Sequence, residues 1–133
     1  MCIGRILLDA VDAKYHNRGK HMKLLTKAIT AKLQSNYESN QIEEDMNQMP
    51  VVKLFGGSAC TWLLSELDEY GVAFGLCDLG FGSPELGSVS IEELEEAKFP
   101  PFGLGVERDK LWKPKKSLDA YADEARLAGH IVS

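Results

Sequence analysis

Histidine is missing from residues 22–129 of this 133-residue chain; His16, His21 and His130 all lie near its two ends. A histidine-centred triad or a cluster of imidazole metal ligands would have to draw opposite termini together, so the sequence argues against both. Cysteine is as scarce. Cys2, Cys60 and Cys77 are odd in number and form no CxxC pair, which argues against a disulfide framework or a structural zinc site and favours a reducing, cytoplasmic setting. Cys60 and Cys77 sit in apolar stretches and are expected to pack as small hydrophobes, since a nucleophilic thiolate needs electropositive surroundings. The glycines of GGSAC, FGSPELG and FGLGVE match neither phosphate-loop nor dinucleotide spacing and read as turns. No window approaches the roughly 18 continuous apolar residues of a membrane span. The ILLDAV run near the start is short, interrupted by Asp9 and without a small-residue cleavage pattern, hence a poor signal peptide. No cofactor is implied.

Basic residues are also rare in the middle of the chain. Residues 41–96 hold twelve acids and one base, Lys53, a local charge of −11; against −5 overall this leaves +6 for the flanks. Such a centre repels nucleic-acid phosphates, whose binding depends on Lys and Arg. It suits a basic protein surface, or simply a solvated acidic face that keeps the protein soluble.

The length suits one domain with its own core. Residues 1–21 read as an N-terminal extension, basic through Arg5, Lys14, Arg18 and Lys20, with Ile3, Leu7, Leu8 and Val11 spaced for a short amphipathic helix. Residues 22–133 are expected to form a single α+β domain: a small antiparallel meander packed with about three helices. Thr26 caps a helix over 26–39, whose inner face carries Ile29, Leu33 and Tyr37. After a polar loop closed by Pro50, residues 51–55, 60–68 and 71–79 read as strands joined by short turns, which favours antiparallel pairing. Residues 81–90 allow a short fourth. Alternation puts Trp62, Leu64, Glu66 and Asp68 on one face. Pairing Asp68 with Val72 adds Val72, Phe74, Leu76 and Asp78 to it, a register that a one-residue slip would invert. Ser90-Ile-Glu-Glu93 is a capping box opening a helix over 90–98, which Pro100-Pro101 stops. Ser117 starts a last helix to about residue 127, with Gly129 beyond it.

Two acid pairs carry the chemical alternative. Glu66 with Asp68, and Glu107 with Asp109, stand at i and i+2, so each pair points one way in extended chain. If the pairs were neighbours, four carboxylates could hold Mg²⁺ or Mn²⁺ and support a metal-dependent hydrolase. The competing reading is an internal salt-bridge set in which Arg108, Lys53, Lys110 and Lys113 neutralise them. Trp62 reads as core. Trp112, among lysines, reads equally as packing or as a contact residue.

"MKLLT", "TW…SELD" followed by "FGL", "PELG" leading into "SIEELEE", and "PPFGLGVERDKLWKP" resemble a family of small bacterial proteins of unknown function carried on plasmids, phages and integrated elements. The resemblance covers about residues 22–116. It implies an intracellular α+β domain and suggests an accessory role such as one against host defence, and it brings no catalytic residues. The reading favoured here is a non-enzymatic acidic module that binds a basic host or nucleic-acid-binding protein, with no membrane partner. Glu43, Glu44, Asp45, Glu92, Glu93, Glu96, Arg108 and Trp112 are the candidate contact residues. The alternatives are the carboxylate hydrolase, and nucleic-acid binding through the basic flanks with Lys110, Lys113, Lys115 and Lys116. The oligomeric state is left open.

Overall fold

A computed structural model describes residues 24–44 and 47–133. The expected extension and its amphipathic helix, Cys2, His16, His21 and Asp45 lie outside these residues. Helix α1 (Lys27–Ile42) starts as the cap signal predicts: Thr26 Oγ1 accepts the Ile29 N–H at 3.1 Å. It runs three residues past the expected end and closes where the Glu43 N–H reaches Ser39 O at 3.0 Å.

Strands β1 (Val52–Gly56), β2 (Cys60–Leu67), β3 (Val72–Asp78) and β4 (Glu85–Ser90) form the expected antiparallel meander. Helix α2 (Ile91–Glu96) follows directly, and helix α3 (Leu118–Ala128) is the last element among the described residues. Between them the two-residue β5 (Glu107–Arg108), which the sequence reading did not assign as a strand, pairs with the outer edge of β1. The sheet order is therefore β4-β3-β2-β1-β5. This is an α+β fold with one five-stranded antiparallel sheet and three helices among the described residues.

Both faces of the sheet are covered. On one, Leu54, Trp62, Leu64 and Ala73 pack with Leu33 of α1 and Leu94 of α2; on the other, Leu63 and Leu76 pack with Tyr121, Ala122 and Ala125 of α3. Trp62 is fully buried, as expected, although its indole N–H finds no acceptor. Removing such a side chain typically costs about 3–5 kcal/mol, because the cavity collapses only in part.

The face assignment of β2 needs correction. The turn does pair Asp68 with Val72, through the Asp68 N–H and Val72 O at 2.9 Å. A β-bulge between Leu64 and Glu66, however, pairs Leu64 with Gly75 and Glu66 with Phe74. The extra residue, Ser65, inverts the alternation. Glu66 and Asp68 thus leave the Trp62 face, and Phe74 and Leu76 lie opposite to where a regular strand would put them. Gly75 makes the bulge possible, since a Cβ there would stand 2.0 Å from Leu63 O and 2.7 Å from Leu64 Cα. Asn36 of α1 donates from Nδ2 to Ser65 O at 3.0 Å, so the bulge is also held from outside the sheet.

Candidate functional site: the acidic end of the sheet

The bulge sends β2 into a turn at which several acidic elements meet. Asp68 Oδ1 accepts the N–H groups of Tyr70 and Val72 at 2.8 and 2.9 Å, fixing the β2–β3 turn. The Ile91 N–H donates to Gly71 O at 3.0 Å, which sets the start of α2 beside that turn. On the α1 side, Gln34, Tyr37, Glu38, Leu67, Asp68 and Glu69 line a depression of about 260 Å³.

On the other side lies a cleft of about 210 Å³. It is lined by Asn40 and Glu44 from the end of α1 and just beyond, Gln48, Ser65 and Glu66 of the bulge, Phe74, Leu86, and Leu118 with Asp119 from the start of α3. Amides tie these walls together. Asn40 Nδ2 donates to Glu66 Oε2 and, at 3.4 Å, to Gln48 Oε1; the Leu118 N–H donates to Gln48 O at 2.9 Å. Among the described residues the cleft lining therefore combines three carboxylates with apolar side chains and includes no basic side chain.

The sequence-predicted residues divide by position. Glu43 and Glu44 are exposed at the end of α1, and Glu44 lines the cleft. Glu92 and Glu93 are partly exposed on α2, near the turn. Ser90 Oγ accepts the Glu93 N–H at 3.3 Å, as the capping signature predicts. The reciprocal half does not form: Ser90 is the last residue of β4, and Glu93 Oε2 is buried without a partner. Burial, followed by the charges of Glu92 and Glu96, pushes the Glu93 carboxyl above its ordinary 4.5. Glu96 is buried, with neither oxygen hydrogen-bonded.

Arg108 and Trp112 serve the interior. Arg108 Nη1 donates to Leu24 O, while Glu95 Oε2 accepts the Leu24 N–H at 3.1 Å. Trp112 is half-buried, its ring 6.1 Å from that of Tyr121. The expected salt-bridge set at 107–109 is corrected accordingly. Arg108 serves a backbone carbonyl, Asp109 Oδ1 accepts the Leu111 N–H at 3.1 Å, and Glu107 is exposed. Among the described residues the ion pairs are Lys116–Glu124 and Arg126–Asp123. Of the basic flank, Lys116 is thus engaged, with its Nζ 5.2 Å from the Tyr121 ring centre as well.

The two acid pairs do not converge. Glu107 aligns with Phe55 on β1, which aligns with Thr61 on β2. Glu66 is five residues further along β2 and two strands away, on the order of 15 Å or more. Among the described residues no group of three acidic, cysteine or histidine side chains is placed to hold a metal ion. Burial, and secondarily Asp78, raises the Cys60 thiol, which donates to Leu79 O at 3.6 Å. Cys60 is thus a packed thiol. As site residues, Asp119, Asn40, Gln48 and Phe74 were passed over by sequence reasoning; the Asn40 bonds to Glu66 and Gln48, the Glu66–Phe74 pairing and the Leu118–Gln48 contact bring them together, and no local signal reports these. It also missed Asp78, which is buried with its carboxylate accepting the Gly80 and Ile131 N–H groups at 2.8 and 3.0 Å.

A helix-covered antiparallel sheet with an acid-rimmed cleft at one end defines the class of domain. The chain belongs to the family described as protein of unknown function (DUF2958), whose model matches residues 24–132. No curated protein and no solved structure matches it. No helix among the described residues is long and apolar enough to cross a membrane.

Proposed function

We propose that this protein is an acidic interaction module whose partner is a basic protein surface. The observation that carries the reading is that Glu44, Glu66 and Asp119 line one cleft, with Glu38, Asp68 and Glu69 lining a depression across the same strand end. Carboxylates grouped around low-dielectric walls focus their field outward and speed encounter with cations. The resemblance to proteins carried on mobile elements fits a host nucleic-acid-binding or defence protein as that partner. The affinity is expected to fall steeply between about 0.05 and about 0.5 M salt, since screening shortens to roughly 10 Å at 0.1 M. Capture of basic proteins by the purified chain, repeated with Glu44→Lys/Glu69→Lys, tests this. Retention unchanged by both salt and charge reversal would sink it.

A further inference from the structure

We infer that the cleft beside the β2 bulge is a receptor for a lysine side chain. The inference rests on the acidic-module reading and names the point at which the partner enters. At about 210 Å³ the cleft is smaller than the roughly 300–1,000 Å³ of small-molecule sites, which suits a single side chain. Its lining is divided in the way a lysine is. Phe74, Leu86 and Leu118 offer apolar surface to a four-carbon stem, and Glu44, Glu66 and Asp119 offer charge to its tip.

Lysine is favoured over arginine by one detail. Oε2 of Glu66 already accepts the Asn40 amide, so a guanidinium fork would have to share that oxygen with Asn40. An ammonium bonds single oxygens and loses nothing by this. Nor is the cleft built for a metal ion, since no group of three potential ligands among the described residues is placed to hold one.

The test is an amide-resolved NMR titration of the full chain with Nα-acetyl-lysine N-methylamide. Saturable shifts are expected at Ser65, Glu66, Phe74 and Asp119, with an affinity of roughly millimolar order for one side chain. The norleucine analogue, equal in stem but uncharged, is expected to bind at least about tenfold more weakly, and the arginine analogue more weakly than lysine. Leu86→Trp, which fills the cleft and leaves every charge in place, is expected to abolish the shifts. The same spectrum reports whether that variant is folded, and Asp119→Asn supplies a milder second variant with a weakened response. Norleucine binding as well as lysine, arginine binding better, or shifts scattered away from the cleft would each overturn the assignment. Salt-sensitive capture of basic proteins without cleft shifts removes the lysine site and leaves the acidic surface standing. Cleft shifts without such capture support the lysine site and remove the wider reading.

Discussion

The two ends of the sheet turn the chain with different chemistry. At the β2–β3 end the turn passes through Gly71 at φ +82 but is bonded by the Asp68 side chain, and Glu38, Glu44, Glu66, Glu69 and Asp119 lie around it. At the β1–β2 end the hairpin turn uses glycine with no carboxylate among the described residues bonding it, and the Phe99 ring packs against Gly56 and Gly57. Gly57 has φ +61 and sits against Phe99, and a Cβ on Gly80 would stand 2.8 Å from Ala59. The Phe99–Leu104 loop closes beside them through backbone bonds of 2.8 Å, with Phe81 and Phe102 more than 80% exposed. Of the carboxylates at this second end, Asp78 is turned inward and is 3% exposed, while Glu85, opposite Cys77, and Glu107, opposite Phe55, are exposed. A count of acids along the chain therefore does not translate into a uniformly acidic surface. Asp78 and Glu96 are buried and Glu95 holds a backbone amide, so part of the acidic count never faces solvent, and the cleft lined by three carboxylates lies beside the β2–β3 end.

This contrast can be broken or sharpened by substitution. The largest effect is expected from Gly75→Ala, which forces a Cβ into the backbone of the bulged strand. Denaturant unfolding should show a loss of about 3 kcal/mol or more, at or above the usual overpacking range. The surviving fold should lose the cleft, because Glu66 depends on the bulge for its face. Next, Asn36→Ala leaves the Ser65 carbonyl without its side-chain donor and should cost about 1–3 kcal/mol in the same measurement.

Glu93→Gln should act in the opposite direction. Since the folded state holds the Glu93 proton more tightly than the unfolded chain, the wild type loses stability as pH rises from 4.5 through the raised folded value. The variant should therefore melt higher than wild type at neutral pH, with the gap closing as pH falls below 4.5. Thermal melts across that range would show the sign directly. The smallest effect is expected at the other end of the sheet. Phe81→Ser and Phe102→Ser should each change unfolding free energy by no more than about 0.5 kcal/mol, since these rings are mostly solvated. A larger loss would mean that the aromatic end, too, is structural.

Much of this architecture is legible in the sequence because its signals are local. Thr26, Ser90 and Ser117 each cap the helix they precede, and alternation with short turns marks β1 to β3. What escapes depends on partners distant in sequence. The bulge is announced only by Gly75 in mid-strand, a glycine whose reason lies on the neighbouring strand. Two-residue β5 is too short to carry a period and exists because β1 offers an open edge. The cleft requires Leu118 to meet Gln48, seventy residues earlier. The carboxylate pairs illustrate the opposite failure: correct local geometry at Glu66/Asp68 and Glu107/Asp109, on strands too far apart to cooperate.

The clasp on Leu24 has a temporal consequence. Its N–H waits for Glu95 and its carbonyl for Arg108, 84 residues later. During synthesis at about 5–20 residues per second, these two backbone bonds of Leu24 can therefore close only several seconds after it leaves the ribosome. The opening MKLLT motif and the late VERDK motif are thus two halves of one latch, and the nascent domain locks only when the second half emerges.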